Sequence, residues 1–184
     1  MQNSYLPSIL KQLEYYKSLG DKTFDQLSEE QLFWQSDTEA NSIAILVKHM
    51  VGNMLSRWTN FLEEDGEKSW RDRDDEFVDS YQTKEDILTA WEQGWNCLLA
   101  AINGLQDDQL ESIVYIRNMG HTVIEAINRQ LCHYSYHVGQ IVLLGRMQKK
   151  NEWTSLSVAK GGSKDYNADK FSKEKGRRHF TEDL

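Results

Sequence analysis

The stretch Cys132, His133, Tyr134, Ser135, Tyr136, His137, Val138, Gly139, Gln140, Ile141 sets two histidines four residues apart. In a helix, residues at i and i+4 share a face, so both imidazoles project to one side. If that side faces the interior of a helical bundle, the pair supplies two nitrogen ligands, and a third from another helix completes a site for a divalent metal ion. His49 is the candidate for that third ligand. Three imidazoles without a fourth protein donor leave coordination positions open. Such a site can lower the pKa of a bound water, stabilise a bound thiolate or polarise a substrate oxygen. Neutral imidazole suits zinc, nickel, iron and manganese. The spacing by itself fits metal ligands and packed core histidines alike. Tyr134 stands where the zinc-protease motif carries Glu, so the built-in general base of that motif is missing.

The helix that carries the pair starts at the capping box Thr122, Val123, Ile124, Glu125. At 100° per residue, His133 and His137 lie about 40° apart, flanked by Ala126, Gln130, Gln140 and Leu144, so they face inward. Gly139 and Gly145 each cost roughly 1 kcal/mol relative to alanine within a helix and read as marks of close packing. His49 belongs to a second long helix, capped by Ser42 and expected from residue 43 to about residue 64. Its apolar stripe runs through Ile43, Val47, Met50, Met54, Trp58 and Phe61. His49 falls off the centre of that stripe, on a flank shared with Ser42, Asn53 and Ser56. The wheel therefore does not by itself bring His49 to the pair.

The remaining elements frame these two helices. Pro7 suits the first turn of a helix whose stripe steps through Ile9, Leu13, Tyr16, Gly20, Phe24 and Leu27. Ser28, Glu29, Glu30 and Gln31 form a capping box for a short helical turn ending near Trp34. Residues 65–77 are charged and lack a helical period, which reads as a long ordered loop anchored by Trp70 and Phe77. Thr83 caps a further helix with Ile87, Leu88, Trp91, Trp95, Leu98, Leu99 and Ile102 buried and Gly104 as its stop. Residues 105–120 are read as a connection with a short extended piece at 112–116, not committed to a hairpin. Past Lys150 the period dissolves, and the segment from Gly161 onward reads as a flexible tail.

At 184 residues the chain fits one domain with a proper core. The net charge of −8 opposes a polyanionic partner, which excludes nucleic-acid binding as an expectation. No apolar run approaches the length that spans a bilayer, so no membrane partner is expected. The first residues, Met1, Gln2, Asn3 and Ser4, show no basic-then-apolar leader, which makes the cytoplasm the expected location. Cys97 and Cys132 have no CxxC spacing and are expected as core thiols. His121 precedes the helix cap and His179 lies in the tail, so neither is a ligand candidate.

Three segments together resemble the DinB-like superfamily and, within it, the YfiT-type branch of small bacterial proteins. They are His49, Met50, Val51, Gly52, Asn53, Met54, Leu55, Ser56, Arg57, Trp58; then Asp65, Gly66, Glu67, Lys68 with Arg71, Asp72, Arg73, Asp74; and residues 133–141. The similarity extends to residues 153–157. It implies an all-α, antiparallel four-helix bundle with a long charged loop between the second and third long helices and a C-terminal extension. Residues 1–158 would be the bundle domain and 159–184 a polar tail. The resemblance also implies a homodimer, a small-molecule substrate, and one divalent ion on His49, His133 and His137, with zinc or nickel ahead of manganese or iron. It is the resemblance, not the helical wheel, that recruits His49. Characterised relatives include transferases and isomerases that use low-molecular-weight thiols such as bacillithiol or mycothiol, and others proposed as metal-dependent hydrolases. The expected function is thus metal-dependent transfer of a small thiol to an electrophile. The alternatives are a hydrolase and a non-catalytic, metal-stabilised binding or stress-response module. Asn53 and Gln140 are candidates to orient a ligand or touch substrate. Arg57, Arg71 and Arg73 are candidates to hold the carboxylates of a thiol cofactor, against plain surface ion pairing.

Overall fold

Four amphipathic helices supply most of the buried apolar surface of this mostly helical chain: α1 (Tyr5–Phe24), α3 (Ile43–Trp58), α4 (Lys84–Asn103) and α5 (Val123–Lys149). Two shorter helices, α2 (Glu29–Phe33) and α6 (Ser163–Ser172), one hairpin and short 3-10 turns, among them Asp75–Phe77, join them among the described residues. The computed structural model describes residues 4–183. Met1, Gln2 and Asn3, where no leader segment is expected, lie outside the described residues. Among the described residues no helix is long and apolar enough to cross a membrane.

Local sequence sets the helix starts. Gln31 Oε1 accepts the Ser28 N–H at 3.0 Å, Ser42 Oγ accepts the Ile45 N–H at 3.1 Å, and Thr83 and Thr122 accept from Asp86 and Glu125 in full capping boxes. α3 ends at Trp58, six residues short of expectation. Thr59 turns extended and Asn60 enters the left-handed region at φ 48°, a conformation asparagine tolerates better than most residues. The chain then doubles back along α3 instead of continuing away from it.

α3 packs mainly on α4 and α1 on α5, with α1–α4 and α3–α5 contacts closing the arrangement around Trp91, Trp95, Met50, Met54 and Tyr134. The rings of Trp91 and Trp95 meet edge to face at 5.3 Å. Small residues permit the closest approaches. A side chain at Gly20 would overlap the Trp91 ring, and one at Gly145 would lie 2.6 Å from Thr23 Cγ2. Gly139, by contrast, faces open space, so the expectation of close packing holds at Gly145 and fails at Gly139.

The segment before α5 forms a hairpin, β1 (Ile113–Ile116) against β2 (Met119–Thr122). Its two turn residues, Arg117 and Asn118, both have positive φ, as a two-residue turn matched to strand twist requires. Asp65 makes that turn affordable: its carboxylate accepts both turn N–H groups at 2.8 Å, and Gly66 N–H donates to Tyr115 O. The hairpin and the 65–77 loop therefore lock each other, which explains why neither strand pairing nor loop course follows from local pattern. Within the loop, Phe77 is half-buried, but Trp70, an expected anchor, is 59% exposed. Cys132 is exposed and Cys97 half-buried, so Cys132 is not a core thiol; it sits on the outer face of α5. Where a flexible tail is expected, residues 163–172 form α6 with no buried residue, and Phe180 returns to stack edge-on against Tyr15 of α1.

Gly20 and Gly139 separate packing from helix propensity. Gly20→Ala should lower stability by about 1–3 kcal/mol, because Trp91 is fully buried, is held by Asp21 and cannot yield. Gly139→Ala should raise it by roughly 0.5–1 kcal/mol. Urea unfolding of both variants beside the parent checks the pair.

Candidate metal centre

α3 and α5 deliver three ring nitrogens to one point. His49 Nε2 lies 3.3 Å from His133 Nε2, and His137 Nε2 lies 3.1 Å from the same atom. One nitrogen from each of the three rings falls within 4.8 Å of the others, close enough to hold a metal ion. Two nitrogens each ~2.0–2.1 Å from a tetrahedral ion are about 3.3 Å apart, so the spacing suits a small divalent cation.

The opposite ring nitrogens decide what those Nε2 atoms can do. His49 Nδ1 sits 2.9 Å from Glu76 Oε2, and an ionised carboxylate only accepts, so His49 donates from Nδ1 and carries its lone pair on Nε2. His137 Nδ1 lies 2.8 Å from Gln140 Oε1, which leaves its Nε2 lone pair aimed at the same point. His133 Nε2 faces both lone pairs and has one proton at most to offer them. Its own Nδ1 is buried and finds no partner among the described residues. Electron-rich nitrogens crowded in this way are what a bound cation resolves, so the donor set fits a divalent ion.

Glu76 is itself built in. It is 4% exposed, and Arg71 grips it with Nε at 2.6 Å from Oε1 and Nη2 at 2.9 Å from Oε2. Gly52 of α3 leaves the room it occupies; a side chain there would overlap Oε1. The Phe77 ring, next in sequence, stacks on His49 with centroids 4.8 Å apart and shields it. Arg57 donates to Gly66 O and to Glu67 Oε2, which Arg71 also reaches at 3.2 Å. These are buried pairs that hold the loop, not the surface ion pairing expected for Arg57 and Arg71. Asn53 Oδ1 accepts from the buried Tyr134 hydroxyl at 2.9 Å, and Tyr134 in turn accepts from Trp58 Nε1.

Electrostatics favour ligand-ready rings. Burial first, then the neighbouring histidines, lower the His133 pKa to about 3, and burial lowers that of His137. Both are therefore neutral at pH 7, as metal ligation requires. Burial opposes ionisation of Glu76, yet the hydrogen bonds from His49 and Arg71 outweigh it and hold its carboxyl below the usual range.

His49 and His133 open onto a cavity of about 280 Å³ that Asn53, Arg57 and Gln130 also line. Gln140 touches His137 directly, whereas among the described residues Asn53 bonds Tyr134 and not a histidine. His121 lies on β2 opposite Val114, away from the cluster. Sequence reasoning missed Glu76, which sits in a stretch with no period to read, and expected Phe77 only as a loop anchor, not as the ring stacked on His49. It also missed Arg129, although its place four residues before His133 on α5 was a usable signal.

Two outcomes are expected. Glu76→Gln should weaken metal retention about 10–100-fold, read by competition with a chromogenic chelator. In the chelator-treated protein, the stability contributed by His133 and His137 is full above the unfolded histidine value of ~6.5 and is lost as pH falls from there toward about 3 for His133. Melting midpoints should thus drop between pH 7 and pH 5, and His133→Asn should flatten that slope; an unchanged slope would show that His133 is not the proton acceptor.

No curated protein matches the chain. A family model described as Protein of unknown function (DUF1572) matches residues 1–162, which include the three histidines, Glu76 and the arginine-bearing loop. On that match, the chain belongs to the DUF1572 family.

Proposed function

We propose that this chain is a metal-dependent enzyme of the DinB-like, YfiT-type kind, a four-helix bundle that transfers a low-molecular-weight thiol to an electrophilic small molecule. The observation that carries the reading is the convergence of His49, His133 and His137 Nε2 beside a cavity large enough for a small substrate. A divalent ion, with zinc or nickel the first choices, would supply Lewis acidity there, making a thiol or water a better nucleophile at neutral pH.

The chain's own residues have definable tasks. Glu76 and Gln140 fix the tautomers of His49 and His137, and Arg71 keeps Glu76 charged. Phe77 excludes water from one face of His49. Among the described residues the cavity lining holds no cysteine, serine or lysine; Cys97 contacts Thr59 and Cys132 is exposed. A nucleophile brought by a second substrate, or water, suits that lining, which favours a two-substrate transfer or a hydrolysis. The reading extends to a homodimer, for which Tyr136, Leu143 and Met147 on the outer face of α5 offer exposed apolar surface.

Elemental analysis of untagged protein, beside His137→Ala, is the primary test. About one zinc, nickel, manganese or iron per chain is expected in the parent and little in the variant. The metal-loaded parent should then consume a bacillithiol-type thiol in the presence of an electrophile such as a chlorinated nitroarene, and His137→Ala should fall to background. Ester cleavage without thiol consumption would shift the assignment to hydrolysis. No metal after add-back of each ion would overturn the reading.

A further inference from the structure

Five arginines, Arg57, Arg71, Arg73, Arg117 and Arg129, surround the cavity onto which His49 and His133 open. That concentration is unusual in a chain of net charge −8. The acids available to offset it are few. Glu67 is shared among Arg57 at 2.9 Å, Arg71 at 3.2 Å and Arg117 at 3.4 Å, and Glu76 is held by Arg71 and His49. Asp65 caps the hairpin turn, and Asp72 accepts backbone N–H groups of Asp74 and Asp75 outside the cavity. Glu67 and Glu76 pair with the arginines from behind, Asp65 lies beside Arg57, and Asp72 and Asp74 line the adjoining groove with Arg71, Arg73 and Arg117, but among the described residues no carboxylate lines the cavity itself.

The surplus is located on three of them. Arg57 and Arg71 are consumed by the loop and by Glu67 and Glu76. Arg129, on α5 one turn before His133, has no hydrogen-bond or carboxylate partner among the described residues. Arg73 has none either and lies 5.2 Å from the centre of the Phe77 ring. Arg117 sits at the hairpin turn, exposed, with only its long contact to the already shared Glu67. Gln130, 4% exposed, lines the same cavity, and its Oε1, which finds no donor among the described residues, suits an N–H or O–H on a ligand and not an anionic oxygen. Guanidinium groups bind carboxylate and phosphate oxygens through paired N–H donors, and a concave site with low-dielectric walls focuses their field.

We propose that this cavity is a subsite for a small molecule bearing two negative charges on oxyanion groups, a dicarboxylate or a phosphate monoester, gripped by Arg73, Arg117 and Arg129. The orientation, with the reacting end toward His49 and His133, rests on the metal-enzyme reading above; the anion subsite rests on the arginines alone. The concave site and the acidic remainder of the surface select a small ligand over a polyanionic polymer.

Isothermal titration at low ionic strength tests it, with succinate and inorganic phosphate as probes and succinamide as the uncharged control. The full chain is used metal-free and metal-loaded, as the parent, Arg73→Gln/Arg129→Gln and His137→Ala. The metal-free parent should bind at least one anion and not succinamide, and the double arginine variant should bind it about tenfold or more weakly. Preference for succinate or for phosphate identifies the group recognised. His137→Ala should keep the anion affinity while losing the metal, so a failed metal site and a failed anion subsite give different results. Absence of binding to any form, binding of succinamide with equal strength, or affinity unchanged in the arginine variant would overturn the proposal. So would binding that appears only with metal and ignores the arginines.

Discussion

The guanidinium of Arg71, its side chain 2% exposed and clasped between Glu76 and Glu67, is the contact on which the centre depends. A buried charge of this kind is tolerated only when its hydrogen bonds are met, and removing one partner of such a pair typically costs ~3–5 kcal/mol because the other is left stranded. Arg71 therefore fixes the loop and Glu76 together. Glu76, kept ionised, fixes the ring of His49. One ion pair ties the least regular segment of the chain to the most demanding geometry in it.

The same contact organises the surrounding charge. Glu67 draws Arg57 and Arg117 toward Arg71, so α3, the loop and the hairpin meet at one carboxylate. Asp65 anchors the hairpin turn from two residues earlier in the loop. The result is a wall rich in guanidinium beside the imidazole cluster. His133 and His137 stay unprotonated because burial, and then the proximity of the neighbouring histidines, penalise charge. A cation-ready cluster and an anion-ready wall lie side by side within one cavity, an arrangement suited to a substrate with a reactive end and a charged handle.

How much could be read in advance depended on the range of the interactions. The caps at Ser42, Thr83 and Thr122 and the buried stripes of α1, α4 and α5 were legible because each rests on contacts within four residues. The end of α3 at Thr59 and Asn60, the exposure of Trp70 and Cys132, the hairpin and α6 were not legible. The helical wheel placed His49 on a polar flank with Asn53 and Ser56, correctly as a matter of angle. All three are nonetheless buried, because the loop folds over that flank: Ser56 Oγ donates to Gly66 O at 2.7 Å and accepts from the Lys68 N–H at 3.2 Å.

Sequence alone determined that His133 and His137 share a face, since four residues of helix leave no other arrangement, and that this face points inward with Gln130 and Gln140 beside it. Only the tertiary structure decided that His49 joins them, that Glu76 and Phe77 hold it there, and that arginines from α3, the loop, the hairpin turn and α5 converge on the cavity. These groups come from segments as far apart as His49 and His137, and their meeting is set by the course of a loop with no periodicity of its own. That course follows from buried ion pairs and from the Asp65 contacts with the turn at Arg117 and Asn118, interactions that exist only once the helices have packed.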